Sequence, residues 1–98
     1  MIEQEWVKRM YLGKVIGTVV STSKNESLSG SKILIVARLT EALVPDGSTQ
    51  VAVDSVGAGN GEIVIVSCGS AARNIMRNEH SVVDAAIVGI VDTVEIAG

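Results

Sequence analysis

Apolar and polar residues alternate along this chain in short runs, and glycine, serine or proline separates one run from the next. The period of two within each run is that of β-strands. Residues 11–22 form the first: Val15, Gly17 and Val19 fall on one face, Ile16, Thr18 and Val20 on the other. Apolar residues on both faces predict a strand covered on both sides, and Gly17 inside it predicts a bulge or a tight bend. Residues 32–39 predict a second strand, 50–54 a third and 62–67 a fourth. Residues 83–96 predict a last strand region interrupted at Gly89. The connections are equally legible. Residues 21–31 are a polar loop whose one apolar residue in the middle, Leu28, either tucks under its own loop or plugs a pocket on a neighbouring molecule. Pro45-Asp46-Gly47 predicts a turn, because proline presets φ and glycine accepts a positive one. Ser70 is placed to cap a short helix over residues 71–76. Five short strands, with one short α-helix between the fourth and fifth, predict a mainly β chain: a small five-stranded OB-like β-barrel.

Residues 1–9 differ in character. Ile2, Trp6 and Met10 recur every four residues, acids come early and bases late, as a short helix prefers. We read 1–9 as an N-terminal extension and 10–98 as the single domain that 98 residues allow. Hydrophobic residues make up 47% of the chain, yet Phe is absent and Trp and Tyr occur once each. The apolar mass is Val, Ile, Leu and Ala. So much of it in so short a chain predicts burial against copies of itself; a Val-rich core within one molecule is the alternative. The net charge of −3 opposes a non-specific nucleic-acid surface, which needs excess base. Cys68 is a lone cysteine, so no intramolecular disulfide forms. No run of about 18 apolar residues could span a membrane as a helix, and no N-terminal apolar run resembles a signal peptide. The expected location is the cytoplasm, with no membrane partner.

The candidate chemistry is thin. Gly57, Gly59 and Gly61 invite a phosphate-binding reading, but the dinucleotide fingerprint needs its last glycine where Glu62 stands and a helix where a strand follows. Gly30-Ser31-Lys32 lacks the Gly-Lys pair of the other phosphate loop. Cys68 and His80 lack an orienting partner for hydrolysis, and Cys68 ends an apolar strand, where cysteine acts as a small hydrophobe. Asp54, Glu62, Asp84, Asp92 and Glu95 are scattered rather than paired. No metal or cofactor site is expected.

Four segments carry a resemblance. Asp54 to Glu62 reads D-x-V-G-A-G-x-G-E, and Gly69 to Arg73 follows as G-S-A-A-R. LGKVIGTVVST begins at Leu12, ESLSGSKIL at Glu26 and VDAAIVGIVDTV at Val83. In this order the chain resembles the EutN/CcmL family, the pentameric vertex proteins of bacterial microcompartment shells. The resemblance implies the same barrel and a structural, non-enzymatic role in a shell within the cytoplasm. The partners it implies are the chain itself, as a homopentamer, and hexameric shell proteins; a nucleic acid is not among them. It also directs attention to subunit boundaries, for which Leu28, Asp54, Glu62, Ser70, Ala72 and Arg73 are the candidates. Arg73 has the planar fork suited to a carboxylate across such a boundary. The loop of Gly57, Ala58, Gly59, Asn60 and Gly61 is expected at the five-fold axis: it joins two apolar strands, and its near-absent side chains let five backbones approach. Two other readings stand beside this one. An OB-type nucleic-acid binder needs aromatic platforms, which Trp6 and Tyr11 hardly supply. An unrecognised enzyme needs a polar pocket with a strongly shifted pKa.

The family-like pattern begins after residue 9. Deleting residues 1–9 should therefore leave the thermal midpoint and the oligomer size nearly unchanged. Collapse to a monomer on deletion would make the extension a docking element instead.

Overall fold

The computed structural model describes residues 10–20, 32–69 and 84–97. Within them lie five strands: β1 (Met10–Val19), β2 (Lys32–Leu39), β3 (Pro45–Asp54), β4 (Ile63–Cys68) and β5 (Ala85–Ile90). They close into a barrel in the order β1-β2-β3-β5-β4, with β4 pairing back onto β1. Every pair is antiparallel except β3 with β5. This is the five-stranded, mainly β barrel that the strand pattern implies. The expected helix over 71–76 lies outside the described residues, as do residues 1–9 and Leu28, Ser70, Ala72 and Arg73; no helix occurs among the described ones.

Alternation decides the core. Tyr11 and Val15 of β1, Leu34 and Val36 of β2, Ala52 of β3, Val64 and Val66 of β4, and Ala85 and Ile87 of β5 make one buried cluster. Cross-strand register keeps them together: Val15 faces Val36, Leu34 faces Ala52, and Val66 faces both Tyr11 and Ile87. Gly13 belongs to the same inner row. A methyl there would lie 2.2 Å from Val36 Cγ1 and 3.2 Å from the Ala37 carbonyl oxygen.

The bulge expected at Gly17 is present. Val15 pairs with Val36 and Gly17 with Ile35, so Ile16 is the extra residue and is pushed outward, exposed. From there Gly17 lies on the outer face, beside Ile35. The two-sided cover expected for β1 is not found within one protomer: Lys14 and Ile16 are bare on its outer side.

The limits of four strands also differ from expectation: β1 starts at Met10 and ends at Val19 rather than running over 11–22, and β3, β4 and β5 depart from their expected bounds too. Pro45-Asp46-Gly47 is not the turn; β3 already begins at Pro45, and the chain reverses over residues 40–44. The reason is chemical. A first strand residue can do without an N–H, so proline is tolerated there. Asp46 Oδ1 accepts from the Ser48 N–H at 2.8 Å, and Gly47 takes the irregular backbone at φ 94°. In the true reversal, Leu43 N–H donates to the Thr40 carbonyl and Thr40 N–H to the Val44 carbonyl, both at 2.9 Å. Leu43 there has φ 63°. β4 is displaced by one residue, to Ile63–Cys68. β5 continues past Gly89, but the interruption expected there survives as a slip in register: Ile87 faces Val66 and Gly89 faces Ile65, leaving Val88 as the extra residue. The strand stops at Ile90, because its partner is exhausted: Val91 N–H reaches the carbonyl of Ile63, the first residue of β4.

The fit at Gly13 yields a test. Val36 is fully buried and cannot swing aside for a new methyl. Gly13→Ala should destabilise the chain by about 1–3 kcal/mol, the usual cost of overpacking. The shift of the urea midpoint measures it.

Candidate functional site

The loop between β3 and β4 is built by the two acids that bound it. Asp54 ends β3 with its side chain only 3% exposed. Its Oδ1 accepts from the Val56 and Gly57 N–H groups, both at 3.1 Å. Lys32, which the register sets opposite Asp54, has Nζ 4.0 Å from Oδ2 and donates to the Ala58 carbonyl. On the other side, Glu62 Oε1 accepts from the Gly59 N–H at 2.7 Å, and the Glu62 N–H donates to the Gly59 carbonyl at 3.1 Å. β1 clamps the far end: Gly61 N–H donates to the Val15 carbonyl at 2.8 Å, and Val15 N–H to the Glu62 carbonyl at 3.0 Å. Gly61 holds φ 88° to make that contact, a conformation that glycine adopts without strain. Hydrogen bonds from backbone N–H groups to carboxylates are charge-assisted and stronger than neutral ones.

Ala58 requires a correction. Its methyl is wholly buried in the barrel core, at 0% exposure, so its side chain does not line any opening. Gly57, Asn60 and Gly61 are exposed and Gly59 is half-buried. The loop is thus a rigid cap, pinned inward through Ala58 and bare outward.

A second polar cluster sits at the inner start of β1. Tyr11 O–H donates to Gln50 Oε1, which also accepts from the Cys68 thiol at 3.7 Å. The Arg38 guanidinium lies 4.8 Å from the centroid of the Tyr11 ring, with its Nε 3.6 Å from Asp46 Oδ2. Burial, chiefly, pushes the Tyr11 hydroxyl up to about 12; Cys68 adds to the shift and Arg38 opposes it. Burial likewise raises the Cys68 thiol, against the opposing charge of Arg38 and the hydrogen bond with Gln50. A thiol so raised is the opposite of a catalytic thiolate. Its possible partner His80 lies outside the described residues. Among the described residues, no group of three or more His, Cys, Asp or Glu could hold a metal ion.

The family model described as ethanolamine utilisation protein EutN/carboxysome matches residues 10–92. The chain belongs to the EutN/CcmL family. It is 81% identical over 86 residues to the bacterial microcompartment shell vertex protein GrpN of Rhodospirillum rubrum, covering 88% of this chain and 97% of that one. The carboxysome shell vertex protein CcmL of Gloeobacter violaceus is 46% identical over 87 residues, covering 89% and 87%. Among solved structures, the GrpN pentameric microcompartment shell protein from Rhodospirillum rubrum superposes with a TM-score of 0.80 at 78% identity, over 90% of this chain and 99% of that one.

For this EutN/CcmL member, the geometry brings together part of what the sequence singled out. Asp54, Glu62 and the five loop residues form one unit, in which both carboxylates are engaged within the protomer. Lys32 was missed. Its place beside Asp54 follows from the β2–β3 register, and nothing in the local sequence around it signals the contact. Gln50 was missed for the same reason, lying 39 residues from Tyr11.

Tyr11 supplies a measurable pH effect. Its folded pKa is raised, so the protonated form is favoured in the fold. The stability it contributes is complete below the unfolded value near 10 and is lost as pH rises through about 12. Denaturation midpoints should fall across that window in the native sequence and fall less in Tyr11→Phe. Because Tyr11 is the chain's single tyrosine, tyrosinate absorbance reports its titration directly.

Proposed function

We propose that this chain is a structural shell component, five copies of which close into a ring at a five-fold vertex of a bacterial microcompartment. The observation that carries the reading is the 81% identity to a shell vertex protein across nearly the whole of that protein. The described geometry supports it. A flat layer of hexagonal tiles does not close into a polyhedron without five-fold units, and such a unit is a ring of heterologous contacts. Each protomer must then present apolar surface outside its own core. Ile16, Val20, Val44 and Val51 are exposed on this barrel.

In this reading the loop of Gly57, Gly59, Asn60 and Gly61 faces the axis, with Ala58 as its inward anchor. Leu28, Asp54, Glu62, Ser70, Ala72 and Arg73 lie near subunit boundaries, and hexameric shell proteins meet the rim. Residues 10–98 make up the vertex domain and 1–9 an appendage to it. The role is not enzymatic, and the shell lies in the bacterial cytoplasm. The nucleic-acid reading loses its platform, because the Tyr11 ring is buried in the core instead of standing on the surface.

Native mass spectrometry of the purified chain tests the ring: five-protomer mass is expected, and single-protomer mass would reject it. Asn60→Asp tests the axis. Five exposed carboxylates crowded at an axis should weaken the ring at neutral pH and spare it in acid, below the ordinary carboxylate pKa of about 4. A ring indifferent to this change would move the loop away from the axis.

A further inference from the structure

The reversal between β2 and β3 contains a side chain that the backbone would rather not have. Leu43 has φ 63°, and it is the one non-glycine residue with positive φ among those described. This is a position where glycine or asparagine is the default, and a branched aliphatic residue is strained. Backbone strain of this kind persists where something else requires the residue. The protomer's own core does not require it: Leu43 is 39% exposed and Val44 55% exposed, and every residue from Thr40 to Thr49 is exposed. The tip is nevertheless well formed. Two backbone hydrogen bonds close it, the Thr40 hydroxyl oxygen accepts from the Ala42 N–H at 3.3 Å, and Arg38 pairs with Asp46 at its base. An ordered, strained turn therefore holds two apolar side chains in solvent.

A matching surface exists on the same protomer. On the outer face of β1–β2–β3, register places Gly17, Ile35 and Val51 side by side across three strands. Val51 is 56% exposed, and the bulge pushes Ile16 out beside them. Lys14 stands exposed on the same face of β1, one row away. The charges are complementary: Glu41 accompanies Leu43 on the tip, Lys14 accompanies the apolar row, and neither is in an ion pair among the described residues.

We propose that the β2–β3 tip docks, through Leu43 and Val44, into the outer apolar row of a neighbouring copy of this chain, with Glu41 meeting the neighbour's Lys14. The occupant is a second copy because a closed ring needs two unlike, complementary surfaces on each protomer, and this chain carries both, with opposite charge. The inference rests on the ring reading and assigns its adhesive residues.

The experiment separates the two. Leu43→Gly relieves the positive φ while removing the side chain, so the protein should stay folded by circular dichroism. The concentration at which half the rings dissociate, read by native mass spectrometry on dilution, should rise by about tenfold or more, as for loss of a buried anchor. Val44→Ser should act in the same direction. Glu41→Lys should weaken the ring, and adding Lys14→Glu should restore it. If the native chain forms rings and Leu43→Gly forms them equally well, the docking is wrong and the ring reading survives. If the charge reversal is not rescued by its partner, the tip does not seat on β1. If the native chain itself shows single-protomer mass, the ring reading fails and this inference fails with it.

Discussion

A barrel closed by few strands has a narrow interior, and most features of this protein follow from filling it. The diameter of a barrel grows with strand number, so five strands leave room for small branched side chains and little else. The inner rows accordingly carry Val, Ala, one Leu and one Ile, with Gly13 where Val36 lies across β1. The one aromatic side chain inside among the described residues, Tyr11, keeps its hydroxyl on Gln50. The near-absence of aromatic residues from the chain is thus a packing requirement of the architecture. Burial there also explains the raised Tyr11 and Cys68 titrations without recourse to catalysis.

The same closure leaves an end to be plugged, and the β3–β4 loop does this. Ala58 drops its methyl into the core while Asp54, Lys32 and Glu62 satisfy the backbone groups of the loop around it. Three glycines in five residues would ordinarily make a soft segment. Here each end is tied, one by Asp54 and the other by the Val15–Gly61–Glu62 exchange with β1. The result is a surface with almost no side chains and little freedom, which suits a place where several copies meet. In this motif the acids serve the loop's backbone, and the glycines serve its shape.

What the narrow core does not absorb is left outside. The alternating strands of one barrel bury one face only, and the outer faces of β1 and β3 still carry Ile16 and Val51. An exposed apolar row on a small domain is unfavourable alone and useful in an assembly. The strained Leu43 at the opposite end of the hairpin belongs to the same economy: stability of the isolated chain is given up where association gains from it. The whole protomer is organised as a tile whose unsatisfied surfaces are meaningful.

The alternation of apolar and polar residues was enough to count the strands, to place β2 to the residue, and to locate the bulge at Gly17, because a period of two and an internal glycine are local signals. The motif from Asp54 to Glu62 was legible as a rigid small-residue turn, and it carried the family. The side on which each residue ended was not legible. Ala58 was expected at an axis with the rest of its loop, and its methyl is in the core, since its direction depends on how the loop closes over a barrel that only five paired strands create. Pro45-Asp46-Gly47 read as a turn by its chemistry, yet the turn fell at Leu43, where no local preference would put it. Pairing of Leu39 with Pro45 put the reversal at 40–44, and the local preference of Asp46-Gly47 was spent on the break in register between Ala37 and Leu39. The contacts of Lys32 with Asp54 and of Tyr11 with Gln50 likewise join residues far apart in the chain. Register is a property of two strands at once, and one strand's sequence does not contain it.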